Sequence, residues 1–273
     1  MLRFLYITNN EEVAKIAEKN GVEWIFVDLE ILGKKERQKG KDTVISNHNI
    51  NDVKKLKNIL TKSKILVRTN PINNESKDEI SRIIENGADI IMLPYFKTIK
   101  EVEEFLKIVD SNIKTILLLE TPESVNIIDE LIKINEIDYY YIGLNDLSLG
   151  YGYKFMFEPL AYGIVDEITS KIKSVKKEFG FGGIACIGKG TLPAEYVITE
   201  HYRLGSTMAI LSRSFCDVIK TKEINLIDKI FKDEIKKIRD YEKFLIGKDN
   251  QFFIENKMKV KKIIKNIVGG KNE

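Results

Sequence analysis

Two acidic side chains, Glu120 and Asp146, stand 26 residues apart, each at the end of an apolar run. Glu120 closes Thr115-Ile116-Leu117-Leu118-Leu119, and Asp146 closes Tyr141-Ile142-Gly143-Leu144-Asn145. A carboxylate in such a position is costly to bury without a cation or hydrogen-bond donors. Taken singly, Glu120 reads as the first polar residue of a loop and Asp146 as an Asx turn or cap. Together, on adjacent strand ends, they offer hard oxygen ligands to one divalent cation, and magnesium commonly takes only one or two carboxylates. Arg68 ends Lys64-Ile65-Leu66-Val67 and carries paired donors suited to gripping a carboxylate or stabilising an enolate. Its plainer use is a structural ion pair with Asp28 or Glu30, which follow another apolar run.

These residues need a scaffold that gathers strand ends at one mouth. Short β-rich runs recur at Phe4–Thr8, Trp24–Leu29, Ile65–Arg68, Ile90–Leu93, Thr115–Leu119, Tyr139–Ile142, Phe181–Ile187 and Thr207–Leu211. Most are continuous rather than alternating, as in parallel strands covered on both faces. Helical spacing fills the intervals at Glu11–Asn20, Asp52–Leu60, Asp78–Asn86, Ile99–Val109, Glu123–Ile134 and Phe157–Glu178. Eight strands alternating with helices predict an α/β fold, a (β/α)8 TIM barrel, with an open doubly wound sheet as the alternative. Barrels of this kind place their reactive groups at the C-terminal strand ends. After residue 222 no further strand appears. Ile224–Leu245 and Phe252–Val268 read as Lys-rich C-terminal helices, so the expected division is a barrel over 1–222 and a helical extension over 223–273.

Composition narrows the function classes. Lys+Arg 44 against Asp+Glu 41 gives a net charge of +3, too balanced for a polyanion-binding protein. Acidic residues interspersed in the terminal helices favour a solvated face or subunit contact over membrane or nucleic acid. Two cysteines cannot form a disulfide framework, and no apolar run approaches the ~20 residues that cross a bilayer. The N-terminus lacks a secretory signal pattern, so the expected location is cytoplasmic.

Five segments in order carry a more specific resemblance: Val27-Asp28-Leu29-Glu30, Val67-Arg68-Thr69-Asn70-Pro71, Gly87-Ala88-Asp89-Ile90-Ile91-Met92-Leu93-Pro94, Leu119-Glu120-Thr121-Pro122 and Ile142-Gly143-Leu144-Asn145-Asp146-Leu147-Ser148. The set resembles the HpcH/HpaI aldolase and citrate lyase β-subunit family of the pyruvate/phosphoenolpyruvate barrel superfamily, over roughly residues 3–215. The resemblance implies a class II type aldolase, a divalent-metal-dependent lyase working through a metal-stabilised pyruvate enolate. Glu120 and Asp146 would bind Mg²⁺ or Mn²⁺, and Arg68 would stabilise the enolate. Backbone N–H groups around Asn145, Asp146 and Leu147 would hold the substrate carboxylate, and Asp28 would orient water. It also implies a 2-oxo acid with an aldehyde or acyl-coenzyme A partner, and a homo-oligomer.

The chain departs from the family where Glu-His should follow the second strand, because Ile31 follows Glu30. His48, in Asn47-His48-Asn49, resembles the stretch around that histidine, with Gly33–Asn47 as an insertion before it. Its neutral-range pKa suits general base work, and a surface loop histidine is the plainer alternative. Arg37 and neighbouring lysines of the insertion are candidates for a substrate phosphate or carboxylate. Ile31 and Tyr95, where the citrate-lyase-like branch has Asp and Lys, weaken the acyl-coenzyme A reading. Gly182-Gly183 and Gly188-Lys189-Gly190 line either an anion subsite or ordinary turns. His201 is expected to be structural. Two alternatives stay open: citryl- or malyl-coenzyme A lyase-like or thioesterase activity, and a barrel that binds an oxo acid without turnover.

Overall fold

The computed structural model describes residues 1–34, 47–109, 113–212, 215, 216, 221 and 223–270. Eight parallel strands close into a barrel in sequence order: β1 Arg3–Ile7, β2 Trp24–Asp28, β3 Lys64–Arg68, β4 Ile90–Leu93, β5 Lys114–Leu119, β6 Tyr139–Ile142, β7 Glu178–Ile184 and β8 Met208–Leu211. Closure comes from β1 pairing with β8, Arg3 opposite Met208 and Tyr6 opposite Leu211. The predicted (β/α)8 barrel is therefore the fold, and the open sheet is not.

The continuous apolar runs follow from burial on both strand faces. Leu5, Trp24, Phe26, Leu66, Ile90, Met92, Ile116, Leu118, Tyr141 and Met208 form one buried cluster filling the barrel. Their neighbours of opposite parity, such as Ile25, Val67, Ile91 and Leu117, belong to a second cluster beneath the helices. A strand repeats every two residues. Asp28, Arg68 and Glu120 thus continue the inward rows of Phe26, Leu66 and Leu118, one layer higher at the C-terminal mouth.

The helices α1 Glu11–Lys19, α2 Ile50–Ile59, α3 Ser76–Glu85 and α4 Ile99–Ile108 match the helical spacing within a few residues. Two predicted helices are broken. Glu123–Ile134 is α5 Pro122–Asn126 and α6 Ile128–Leu131, because Ile127 leaves the helical backbone at φ −96°, ψ 11°. Phe157–Glu178 contains α8 Glu158–Ala161 and α9 Ile164–Ser174, separated where Gly163 turns through φ 88°. Glu178 itself opens β7, three residues before the predicted start, and its carboxylate meets Arg3 at 3.0 Å. Two helices were not expected. They are α7 Leu144–Gly150, and α10 Ala194–Leu204, whose buried face carries Thr199, Glu200 and His201 and so lacks a clean apolar period.

The terminal helices are α11 Ile224–Ile246 and α12 Asn250–Gly269. α11 packs on α1 and α10, burying Ile227, Phe231, Ile235 and Ile238. Its Glu242 accepts the Leu2 N–H at 2.6 Å, and its Arg239 lies 3.9 Å over the Phe4 ring. These contacts put α11 in the ring position between the helices that follow β7 and β1. α12 lies on α8 and α10, with Lys257 2.7 Å from Asp166. No described helix is long and apolar enough to cross a membrane.

The β7–β8 register shifts between Gly180 and Gly183. Tyr141, inside the barrel, bridges this irregularity. Its hydroxyl donates to the Gly182 carbonyl at 2.6 Å and accepts from the Ile210 N–H at 2.8 Å. Burial pushes this phenol well above the ordinary tyrosine pKa, so it stays protonated. Tyr141→Phe keeps the ring and leaves both buried backbone groups without that partner, a loss of about 1–3 kcal/mol. Urea unfolding of the two proteins checks it; equal midpoints and slopes would show that the hydroxyl does not support the bulge.

Candidate active site

β2 and β3 deliver a buried four-charge cluster. Asp28 and Arg68 are opposed in the β2–β3 register. Arg68 Nε donates to Asp28 Oδ1 and Arg68 Nη2 to Asp28 Oδ2, both at 2.9 Å, a bidentate fork. Lys34 Nζ reaches Asp28 Oδ2 at 2.7 Å. Glu30 Oε2 lies 3.3 Å from Arg68 Nη2 and 3.7 Å from Lys34 Nζ. Burial opposes the charge on Asp28, yet Arg68 and then Lys34 hold its carboxyl far below the ordinary carboxylate range. Arg68 is likewise depressed by burial and raised by Asp28, Glu30 and Glu120, and the pairs prevail, so it stays charged. The plainer sequence reading of Arg68, an ion pair with Asp28 or Glu30, is present in full. Arg68 also lines the mouth cavity, so the two uses are compatible. Its Nη1 has no hydrogen bond to another described residue and is the edge left for a ligand.

Glu120 and Asp146 reach the same place by different routes. Glu120 follows β5, and its Oε1 accepts the Tyr95 N–H at 3.0 Å. Tyr95 holds that amide in place from a left-handed backbone, φ 49°, rare for a side chain of this size. Asp146 sits in the first turn of α7, where Asn145 Nδ2 donates to its Oδ1 at 3.0 Å. The glycine joining β6 to α7 permits the approach: a Cβ on Gly143 would lie 2.8 Å from Glu120 Cβ and 2.9 Å from Glu120 Oε2. Its φ of −83° suits alanine, so the restriction is one of space. Gly143→Ala is expected to displace Glu120 and weaken Mn²⁺ binding about 10–100-fold, the range for disturbed supports of metal ligands. Titration followed by electron paramagnetic resonance checks it, and unchanged affinity would show that the Glu120 position is immaterial to the ion.

Glu120 and Asp146 line both an inner and an outer lobe. The inner lobe, about 220 Å³, is the barrel mouth itself, with Arg68, Met92, Tyr141 and Gly182 on its walls. The outer lobe, about 490 Å³, runs over Tyr95, Lys97 and Glu123. Both carboxylates are buried, at 4% and 9% exposure, yet line open cavities. Two hard oxygen donors from separate elements facing one space are a donor set that fits Mg²⁺ or Mn²⁺. Among the described residues there is no group of three or more His, Cys, Asp or Glu around one point. Magnesium commonly completes its octahedron with water and substrate oxygens when a protein offers one or two carboxylates.

The other expected site residues divide. His48 stands beside the four-charge cluster, its Nδ1 accepting the Asp28 N–H at 3.0 Å. That bond assigns the neutral-ring proton to Nε2. Burial pushes its pKa down, against the pull of Asp28 and Asp52. To take up a proton as a base, Nδ1 must release the amide. Of the three amides expected to bind a carboxylate, Leu147 N–H is given to the Gly143 carbonyl at 3.1 Å, whereas Asn145 and Asp146 stand in the first turn of α7. Asp28 has both oxygens bound by cations, so within the described residues it positions Arg68. Gly182 and Gly183 line the inner lobe, while Gly188 and Gly190 are positive-φ turn residues. The Arg37 reading lies outside the described residues, as does the rest of 35–46. His201 is structural: fully buried, its ring stacks 3.8 Å from Phe181, and burial lowers its pKa to about 3. Sequence reading missed Lys34 as a partner of Asp28, and Tyr95 as the donor to Glu120. A lysine six residues after Asp28 gave no periodic signal, and a backbone donor leaves none.

Solved structures share this fold at low identity. An HpcH/HpaI aldolase from Desulfitobacterium hafniense superposes with a TM-score of 0.60 at 15% identity, over 83% of this chain and 92% of that one. The citrate synthase SbnG gives 0.61 at 15% identity, over 82% and 91%. A citrate lyase from Burkholderia xenovorans gives 0.57 at 10% identity, over 98% and 93%. No curated protein sequence matches the chain. The family described as HpcH/HpaI aldolase/citrate lyase matches residues 3–181, which span β1 into β7 and include Asp28, Arg68, Glu120 and Asp146. With well over half of its length matched, the chain belongs to the HpcH/HpaI aldolase/citrate lyase family, a family of lyase and aldolase type.

Proposed function

We propose that the chain is a divalent-metal-dependent carbon–carbon lyase that cleaves or forms a 2-oxo acid through a pyruvate enolate. The observation that carries this reading is the convergence of Arg68, Glu120 and Asp146 on one inner lobe. Its volume, about 220 Å³, lies below the ~300–1,000 Å³ of drug-sized ligand sites and suits a small acid. Glu120 and Asp146 would hold a divalent cation, which when bound supplies Lewis-acid polarisation of a keto oxygen.

The chain's own groups do the rest. Arg68 presents Nη1 to the keto oxygen, and Asp28 fixes the guanidinium before charge develops there, so little reorganisation is needed. The Asn145 and Asp146 amides take the substrate carboxylate. Hydrophobic walls from Phe26, Met92 and Leu118 limit water around the enolate. His48, neutral at pH 7, either donates from Nε2 or exchanges its amide partner to accept a proton.

The test is pyruvate binding by calorimetry with and without Mg²⁺ or Mn²⁺, then exchange of the methyl protons in heavy water followed by NMR. Metal-dependent exchange is the expected result. Binding without exchange would favour an oxo-acid-binding barrel, and neither binding nor exchange would remove the reading.

A further inference from the structure

We propose that Asn70 is a positioning residue: it holds the turn between Asp28 and Lys34, and through that turn it aims Arg68 at the inner lobe. The proposal rests on the lyase reading above. Arg68 ends β3, Asn70 follows two residues later, and the two take hold of the same turn at different points. Arg68 grips Asp28, where the turn begins, and its carbonyl accepts the Leu29 N–H at 3.0 Å. Asn70 grips the middle. Its Oδ1 accepts the Ile31 N–H at 2.9 Å and the Leu32 N–H at 3.0 Å. The turn closes where the Lys34 N–H reaches the Ile31 carbonyl at 3.4 Å and Lys34 Nζ returns to Asp28 at 2.7 Å.

Asn70 is itself fixed from behind. The following residue, Pro71, restricts its backbone to extended conformations. Glu79 of α3 accepts the Asn70 backbone N–H at 3.2 Å and its Nδ2 at 2.9 Å with the same oxygen, Oε1. Those bonds assign the amide: its nitrogen faces the carboxylate and its oxygen faces the turn. The start of α3 is tied to the segment after Asn70, where the Asn73 N–H donates to Ser76 Oγ at 2.9 Å. Ile31 and Leu32 are 59% and 46% exposed, so solvent reaches this part of the turn and can replace Asn70 as a partner at little cost to the fold. What Asn70 adds is position. A guanidinium that must meet charge as it develops is only as well held as the carboxylates that grip it. Asp28 and Glu30, the two that grip Arg68, both belong to the stretch that Asn70 restrains.

The experiment compares the wild-type protein with Asn70→Ala and with the double variant Asn70→Asp, Glu79→Gln. The alanine removes the acceptor. In the double variant carboxylate and amide trade places, so the acceptor for the turn, the bond to α3 and the net charge are all kept. Two readouts are taken: kcat and KM for metal-dependent methyl-proton exchange of pyruvate, and hydrogen–deuterium exchange at the Ile31 and Leu32 amides by NMR. Asn70→Ala should lower kcat about tenfold and leave KM for pyruvate within about twofold, because the interaction it blunts is made to the enolate rather than to the bound acid. It should also speed exchange at the two amides about tenfold, the effect of losing one hydrogen-bond acceptor. The double variant should return both readouts to within about threefold of wild type. Native kcat in Asn70→Ala, a loss that falls on KM instead, or a double variant no better than the alanine would overturn the positioning role alone. So would amide exchange that does not respond to Asn70→Ala. Absence of methyl exchange in the wild-type protein would overturn the lyase reading and the positioning role with it.

Discussion

Glu120→Gln is expected to reduce metal-dependent methyl exchange about 10³-fold, because Lewis-acid stabilisation of a developing oxyanion is worth several kcal/mol. The glutamine retains a carbonyl oxygen for the Tyr95 N–H, which in the native protein reaches Glu120 Oε1 at 3.0 Å. It removes the charge and turns one oxygen into an amide donor while keeping the side chain's shape, so the barrel should remain folded. Asp146→Asn should act similarly, and the double variant should be little worse than either, since residues acting as a unit are not additive. The measurement pairs exchange kinetics with Mn²⁺ titration of the same samples. Native Mn²⁺ affinity in either single variant would remove that residue from the ion's coordination. Native affinity with slow exchange would move its role from holding the ion to the chemistry itself.

The legibility of these residues in the sequence divides along a physical line. Strand identity was readable because both strand faces are buried. Ile90–Leu93 and Tyr139–Ile142 coincide with β4 and β6 to the residue. Inward projection of Asp28, Arg68 and Glu120 follows from the two-residue repeat once those strands are known. β7 was less readable, since Glu178 is polar, Gly180, Gly182 and Gly183 add no side chains, and the register shifts among them. α10 was hidden because it buries polar groups, such as Glu200 held by Arg203 at 2.7 Å and Asn256 at 2.8 Å. In the site, residue types at strand ends could be read, whereas partners supplied by the backbone or by loops could not. The Tyr95 amide on Glu120 and the His48 ring on the Asp28 amide belong to that second group. Ion-pair geometry also lay beyond the sequence. In the sequence Arg68 reads as enolate stabiliser or structural partner, and the fork on Asp28 makes the structural pairing the means of aiming it.

That fork leads to the largest expected stability effect. Asp28→Asn should lower the unfolding free energy by about 3–5 kcal/mol, the usual loss when one partner of a buried ion pair is removed. The reason is the charge it leaves behind. Asp28 accepts three bonds within 2.7–2.9 Å, two from Arg68 and one from Lys34. Without its charge, two buried cations share Glu30, which lies no closer than 3.3 Å to Arg68 and 3.7 Å to Lys34. An asparagine would also turn an amide donor toward one of them. The pH dependence has a definite sign. Because the folded carboxyl titrates far below its unfolded value of ~3.9, its contribution is complete above about pH 4–5 and fades as the solution is made more acidic. Urea unfolding at pH 7 should therefore separate wild-type and Asp28→Asn proteins by the full amount, and the gap should narrow only in strong acid. A gap that closes instead between pH 7 and 5 would mean another group, with a pKa in that range, governs the cluster. Equal stability at pH 7 would show that Arg68 and Lys34 reach solvent or other partners once Asp28 is gone, and the guanidinium would then not be fixed before substrate binds.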